Sequence, residues 1–196
     1  KSREEYVEAE ADKRVVHWAS HLEAPVYIVH MADKEGLEAC IRAKEQGHPV
    51  FVETCPQYLE FTCDVYKRED GRNFVCSPPM KGRESQDALW AALKAGFIDT
   101  VATDHCPFQS YEKDWGKDDF TKIPNGCAGV ENLYPYMLDA ANRGKIPFEK
   151  AVELCSYNPA KIFGCDSKGS ICVGKDADLV VYDTNKDFTV SVSNMH

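Results

Sequence analysis

No apolar run in this sequence approaches the roughly 20 residues that a membrane-crossing helix needs, so no membrane partner is expected. No basic segment followed by an apolar stretch opens the chain, so no secretory leader is read there. No cluster of lysine and arginine occurs, and the formal net charge is -9. A nucleic-acid partner is therefore not expected. Cysteine is plentiful, but no C-x-x-C pair and no glycosylation sequon are present. The closely spaced thiolates of a zinc ribbon are missing. The nine cysteines are odd in number, and no leader accompanies them, so a disulfide framework is not indicated either. Most are expected to be reduced, buried, small apolar residues of a cytoplasmic protein. Internal repeats and low-complexity segments are also lacking.

What is there is an alternation of helix and strand patterns. Ser2-Arg3-Glu4-Glu5 has the form of a capping box. Val7, Ala11, Val15, Trp18 and Leu22 then recur at helical spacing, which predicts a helix to about His21. Val26-Tyr27-Ile28-Val29 is a short continuous apolar run, the pattern of a strand buried on both faces. Asp33 can cap a second helix with Leu37, Cys40, Ile41 and Lys44 on one side, and Gly47 stops it. Val50-Phe51-Val52 and Thr100-Val101-Ala102 read as two more buried strands. Between them, Ala88, Leu89, Ala92 and Leu93 line a helix that Gly96 ends.

The stretch from Asp104 to Gly129 has no periodicity, and a loop of that length within a domain is usually functional. Helical patterns return at 130–143 and from Phe148 to about Phe163. The end of the chain, with Gly174 and the run Leu179-Val180-Val181-Tyr182, reads as short β-structure with turns.

Strands alternating with helices imply βα units and a parallel sheet. In such folds the chemistry sits at the C-terminal ends of the strands. The first strand runs into His30, the third through Thr103 into Asp104, and the second into Glu53-Thr54-Cys55-Pro56. An imidazole and a carboxylate past buried strands are ordinary ligands for zinc and similar ions. Each also has a plain structural role open to it, a hydrogen-bonded loop histidine and a turn-forming aspartate. Ser77, held extended by Pro78, and Asn125-Gly126, a turn signal, are read the same two ways.

Taken together, several segments resemble one known family. Ile28-Val29-His30-Met31, Glu53-Thr54-Cys55-Pro56-Gln57-Tyr58-Leu59, Val75-Cys76-Ser77-Pro78-Pro79, Ala102-Thr103-Asp104-His105-Cys106-Pro107-Phe108 and Lys122-Ile123-Pro124-Asn125-Gly126 come in the order and spacing of dihydropyrimidinases and hydantoinases. Val173-Gly174-Lys175-Asp176-Ala177-Asp178-Leu179-Val180 resembles the return of the chain into the small β-domain of the wider amidohydrolase superfamily.

The resemblance implies an α/β chain: the second half of a (β/α)8 TIM-like barrel at residues 1–165, and the start of a return to a small β-sandwich domain at 166–196. It implies hydrolytic opening of a small cyclic amide or ureide, a dihydropyrimidine or a 5-substituted hydantoin. It implies two zinc ions per active site, bridged by a carboxylated lysine and a hydroxide. His30 matches a ligand of one ion. Asp104 matches a ligand of the other and the catalytic acid/base. Ser77 and Asn125 match positions whose main-chain groups hold the amide edge of the substrate ring.

A homotetramer is the implied assembly. The family's His-x-His, bridging lysine and fifth-strand histidine have no counterpart here, so these 196 residues are expected to be a portion of a longer chain. Related alternatives are a non-catalytic dihydropyrimidinase-related scaffold and another cyclic amidase such as an allantoinase.

Overall fold

The computed structural model describes residues 4–191 and 193–195. They form two compact units, Lys1–Val130 and Glu131–His196.

The first unit is built on three parallel strands, β1 (Val26–Ile28), β2 (Val50–Thr54) and β3 (Thr100–Val101), in the order β1-β2-β3. The register pairs Val26 with Val50, Ile28 with Val52, Glu53 with Thr100 and Thr54 with Val101. Main-chain bonds carry the pairing beyond the strand ends: Met31 N–H donates to Glu53 O at 2.7 Å, and Ala102 N–H to Thr54 O at 3.0 Å. In β2, Val50, Val52 and Thr54 are buried and alternate with half-buried Phe51 and Glu53. Strand β1 departs from the expected burial on both faces. Ile28 is buried, Val26 and Tyr27 are half-buried and Val29 is exposed; among the described residues β1 has one strand neighbour, β2.

Helices α1 (Glu5–His21), α2 (Lys34–Glu45), α3 (Pro56–Glu60) and α4 (Arg83–Ala95) surround the sheet's connections. The Ser2 capping box lies outside the described residues. Helix α1 forms over the expected length but presents a different face. Ala9 and Val16 are its buried residues, while Val7, Val15, Trp18 and Leu22 are exposed. The inward side carries Glu8 and Asp12 because α1 packs on α2 and meets polar groups at its start.

Helix α2 follows the sequence reading closely. Asp33 is its N-cap, accepting from Gly36 N–H at 2.8 Å, and Leu37, Cys40 and Ala43 are buried. Leu89 and Leu93 of α4 are fully buried, each contributing about 2 kcal/mol by removal from water. Gly96 ends α4 at φ 82, a left-handed conformation that glycine adopts without a Cβ penalty.

The 104–129 stretch contains a single-turn helix α5 (Ser110–Lys113) and two 3-10 turns, Asp114–Gly116 and Phe120–Lys122. Its ends are tied together. His105 and Cys127 form a parallel bridge, and Cys106 N–H donates to Cys127 O at 3.0 Å.

The second unit is helical: α6 (Leu133–Asn142), α7 (Phe148–Val152) and α8 (Asn158–Ile162), with a π-helical turn at Glu153–Tyr157 joining the last two. Met137, Leu138, Ala151 and Leu154 form its core. The β-structure expected near Leu179–Tyr182 is absent among the described residues. Val181 is 98% exposed, and no partner strand for this run is among the described residues.

The cysteines depart from the expectation of general burial. All nine are free, but Cys40, Cys55 and Cys76 alone are buried, and Cys63, Cys106, Cys165 and Cys172 are exposed.

Candidate functional site

His30 and Asp104 follow β1 and β3 on the edge of the sheet where the parallel strands end. Both have positive φ, 41° and 46°. Glu23 is the one other described non-glycine residue with that geometry. For a side chain with a Cβ, this conformation costs on the order of 1 kcal/mol or more, and such residues gather at functional sites. Local sequence does not demand it at either place. Each lies just past the end of its strand, at the sheet's rim.

Glu53, the penultimate residue of β2, organises the His30 turn. Its Oε1 accepts from His30 N–H at 3.2 Å, and its Oε2 accepts from the Tyr27 hydroxyl at 2.7 Å. Tyr27 Oη also lies 2.5 Å from Thr100 Oγ1, so one hydrogen-bond chain crosses all three strands. Burial and the neighbouring Glu53 carboxylate raise the tyrosine pKa, which keeps the phenol protonated as a donor. Sequence reasoning assigned neither Glu53 nor Tyr27 a role here. The one available signal was a carboxylate two residues before the strand-end Cys55.

Ser77 and Asn125 are brought together from 48 positions apart, the Ser77 hydroxyl donating to Asn125 Oδ1 at 3.2 Å. Asn125 Nδ2 donates in turn to Ile123 O at 3.1 Å. Beneath them lies Lys113, buried, with its ammonium donating to Val75 O, Pro124 O and Gly126 O at 2.8, 2.7 and 2.8 Å. Desolvation lowers its pKa. No sequence feature distinguished this lysine from the exposed ones around it. Gly126 is required by close approach, since a Cβ there would lie 2.3 Å from Cys106 O. The His105 ring holds the far end of the loop, its Nδ1 accepting from Gly129 and Val130 N–H.

Among the described residues, the set of three potential metal ligands within 4.8 Å of one another is Glu8, Asp12 and Asp33, and neither His30 nor Asp104 belongs to it. That trio links α1 to the start of α2. Glu8 accepts from Ala32 N–H at 3.1 Å and pairs with the buried Lys81 ammonium at 2.7 Å. Asp12 Oδ2 and Asp33 Oδ2 are buried and have no donor. Desolvation first, and then the neighbouring carboxylates, push Asp12 up to about 7; desolvation and Glu8 push Asp33 to about 6. Proton retention by this pair, rather than full ionisation, fits its surroundings.

Residues 6–195 match the Amidohydrolase family. The chain belongs to the amidohydrolase family. It is 40% identical to a D-hydantoinase of Streptomyces coelicolor, over 99% of this chain and 42% of that protein. It is also 40% identical to a D-hydantoinase of Rhizobium radiobacter, over 100% of this chain and 44% of that one. Among solved structures, the D-hydantoinase (dihydropyrimidinase) of a Thermus species superposes with a TM-score of 0.93 at 38% identity, covering 98% of this chain and 43% of that one. A D-hydantoinase of Bacillus sp. AR9 gives 0.94 at 36% identity, with the same coverage. The chain therefore spans less than half the length of these relatives. Its parallel sheet and helices are a share of the amidohydrolase barrel, and this amidohydrolase chain has no described helix long and apolar enough to cross a membrane.

His30 and Asp104 supply donor types that fit a zinc-like ion, one imidazole and one carboxylate. They supply two donors, where a closed site needs about four. Their donor types fit such an ion, but the two residues by themselves do not close a site.

Proposed function

We propose that this chain carries the second half of a cyclic-amide hydrolase site, acting on dihydropyrimidines or 5-substituted hydantoins in a chain of its relatives' length. The observation that supports this most is the shared left-handed backbone of His30 and Asp104 at the ends of two strands of one parallel sheet. Strain at two matched rim positions is accounted for when both side chains serve one centre.

The metal this reading requires is zinc, two ions per site, with His30 holding one and Asp104 the other. Bound there, zinc supplies Lewis-acid polarisation of the substrate carbonyl and an acidified water. The rest is done by the chain. Asp104 takes a proton from the attacking water on a carboxylate oxygen and passes it to the ring nitrogen as the amide bond breaks. The Ser77 and Asn125 segments hold the amide edge of the ring and fix its orientation without a charged side chain. Glu53 holds the His30 turn through its N–H. The family resemblance further supports a cytoplasmic homotetramer.

The test is zinc content and hydantoin ring opening in the full-length protein with His30→Asn. The reading expects a loss of zinc and of turnover together. Full zinc occupancy with unchanged turnover overturns the assignment of His30. The 196 residues alone, with two donors, are expected to show no ring opening and weak zinc affinity. Stoichiometric zinc in that piece would contradict the division of ligands.

A further inference from the structure

The central strand β2 supplies neither of the two assigned ligands, yet its end reaches the entry to both rim positions. The peptide unit that leads into a residue is a rigid plane, so fixing one atom of that plane restricts the residue's backbone. The plane leading into His30 carries the His30 N–H, which donates to Glu53 Oε1 at 3.2 Å. The plane leading into Asp104 carries Thr103 O, which accepts from Gln57 Nε2 at 3.3 Å. Glu53 lies in β2, and Gln57 lies in α3, which follows that strand at once. One short segment thus holds the entry to both left-handed residues, His30 and Asp104. A residue with a Cβ keeps such a backbone where its surroundings hold it there.

The His30 side is held by more than one bond. Glu53 O also accepts from Met31 N–H at 2.7 Å, so two successive N–H groups end on one residue. Thr54 Oγ1 donates to Met31 O at 2.8 Å. Glu53 Oε2 is fixed in its turn by the Tyr27 hydroxyl at 2.7 Å, and Tyr27 Oη by the buried Thr100 Oγ1. Both carboxylate oxygens of Glu53 therefore face donors of the protein. Among the described residues, Glu53 belongs to no group of three potential metal ligands. Its geometry serves the backbone of a ligand and not an ion directly.

We propose that Glu53 and Gln57 are positioning residues, Glu53 for the His30 imidazole and Gln57 for the Asp104 carboxylate, so that the end of β2 sets both metal-binding side chains without binding metal itself. The inference rests on the reading of His30 and Asp104 as ligands of two different ions. Without the Glu53 acceptor, the His30 turn relaxes and its imidazole leaves the line of approach to its ion. Without the Gln57 amide, the same happens at Asp104.

The test is the zinc affinity of the full-length protein, read by competition with a chromophoric chelator, for Glu53→Ala, Glu53→Gln and Gln57→Ala. Groups that orient a metal ligand are worth about 10- to 100-fold in affinity. Glu53→Ala is expected to weaken one ion on that scale, the same ion that His30→Asn loses, and to leave the other unchanged. Gln57→Ala is expected to weaken the other ion instead. Glu53→Gln is expected to bind zinc as the parent does. Its amide oxygen can accept from His30 N–H while its amide N–H donates to Tyr27 Oη, and the Tyr27 proton then turns to Thr100 Oγ1, since either hydroxyl of that pair can be the donor. Adding Glu53→Ala to His30→Asn is expected to leave the affinity of the remaining ion as it is, as for a residue that acts through His30. Gln57 is half-buried and outside the strands, so Gln57→Ala decides its half of the proposal even where Glu53→Ala does not fold. Equal weakening of both ions by Glu53→Ala, unchanged affinity in both alanine variants, or a Glu53→Gln protein as weak as Glu53→Ala would overturn the proposal. A parent protein that binds no zinc would overturn the reading of the two ligands, and the proposal with it.

Discussion

The Ser77 hydroxyl donates to Asn125 Oδ1 at 3.2 Å, joining a Ser-Pro-Pro segment to an Asn-Gly turn. Each was read from sequence as a substrate position in its own loop. In the structure they are one unit, because Lys113 and the Gly126–Val75 bond hold their backbones side by side.

Asn125→Ala removes one partner of an exposed hydrogen bond, so the expected loss of stability is at most about 1 kcal/mol. Ring-opening kinetics of the full-length protein are expected to show a raised KM with a smaller change in kcat, as for a contact made in ground and transition states alike. Urea unfolding and a kinetic titration measure the two. A large stability loss with unchanged KM would make Asn125 a purely structural turn residue.

Lys113→Met keeps the length of the side chain and removes the ammonium, which leaves three inward carbonyls short of a donor. The expected cost is about 3 kcal/mol or more, and the 104–129 loop should become the first segment to exchange its amide protons. Denaturant unfolding and hydrogen exchange check this. A cost near zero would mean that water replaces the ammonium freely.

Asp12 titrates at about 7 and Asp33 at about 6 in the folded chain, against 3.8 for an ordinary aspartate. The facing charges are Glu5 and Glu8 on α1 and the cation Lys81. The folded state therefore keeps protons that the unfolded state has released. The contribution of this pair to stability is full below pH 3.8 and falls as pH rises to about 7. Asp12→Asn is expected to flatten that fall. Unfolding free energies at pH 5 and pH 8 should differ less in the variant than in the parent. Equal differences would show that both carboxylates ionise without cost.

Much of the architecture follows from local pattern. The run Val50-Phe51-Val52, the Asp33 cap and the Gly96 stop each determine their element through one short-range preference, and the structure places strand, cap and left-handed glycine there. The face of α1 was not legible, since its exposed stripe of Val7, Val15, Trp18 and Leu22 has the spacing of a buried one. The same holds for Leu179-Val180-Val181: apolar β-formers become a strand when a partner strand is present, and none is described.

The rim positions of His30 and Asp104 followed from the strand ends, but their left-handed backbone did not. Nor did the Glu53 carboxylate under His30 or the Lys113 anchor, because they rest on contacts between residues 23 apart in the first case and 11 to 38 apart in the second. Spacing within a segment carries no trace of such contacts.

The central claim is that Asp104 moves the proton between water and the ring nitrogen. It is tested most directly by kcat for hydantoin ring opening by the full-length Asp104→Asn protein, with substrate binding measured alongside. The account predicts a fall in kcat of about 1,000-fold or more, with binding partly retained. A variant that keeps most of its kcat would contradict it.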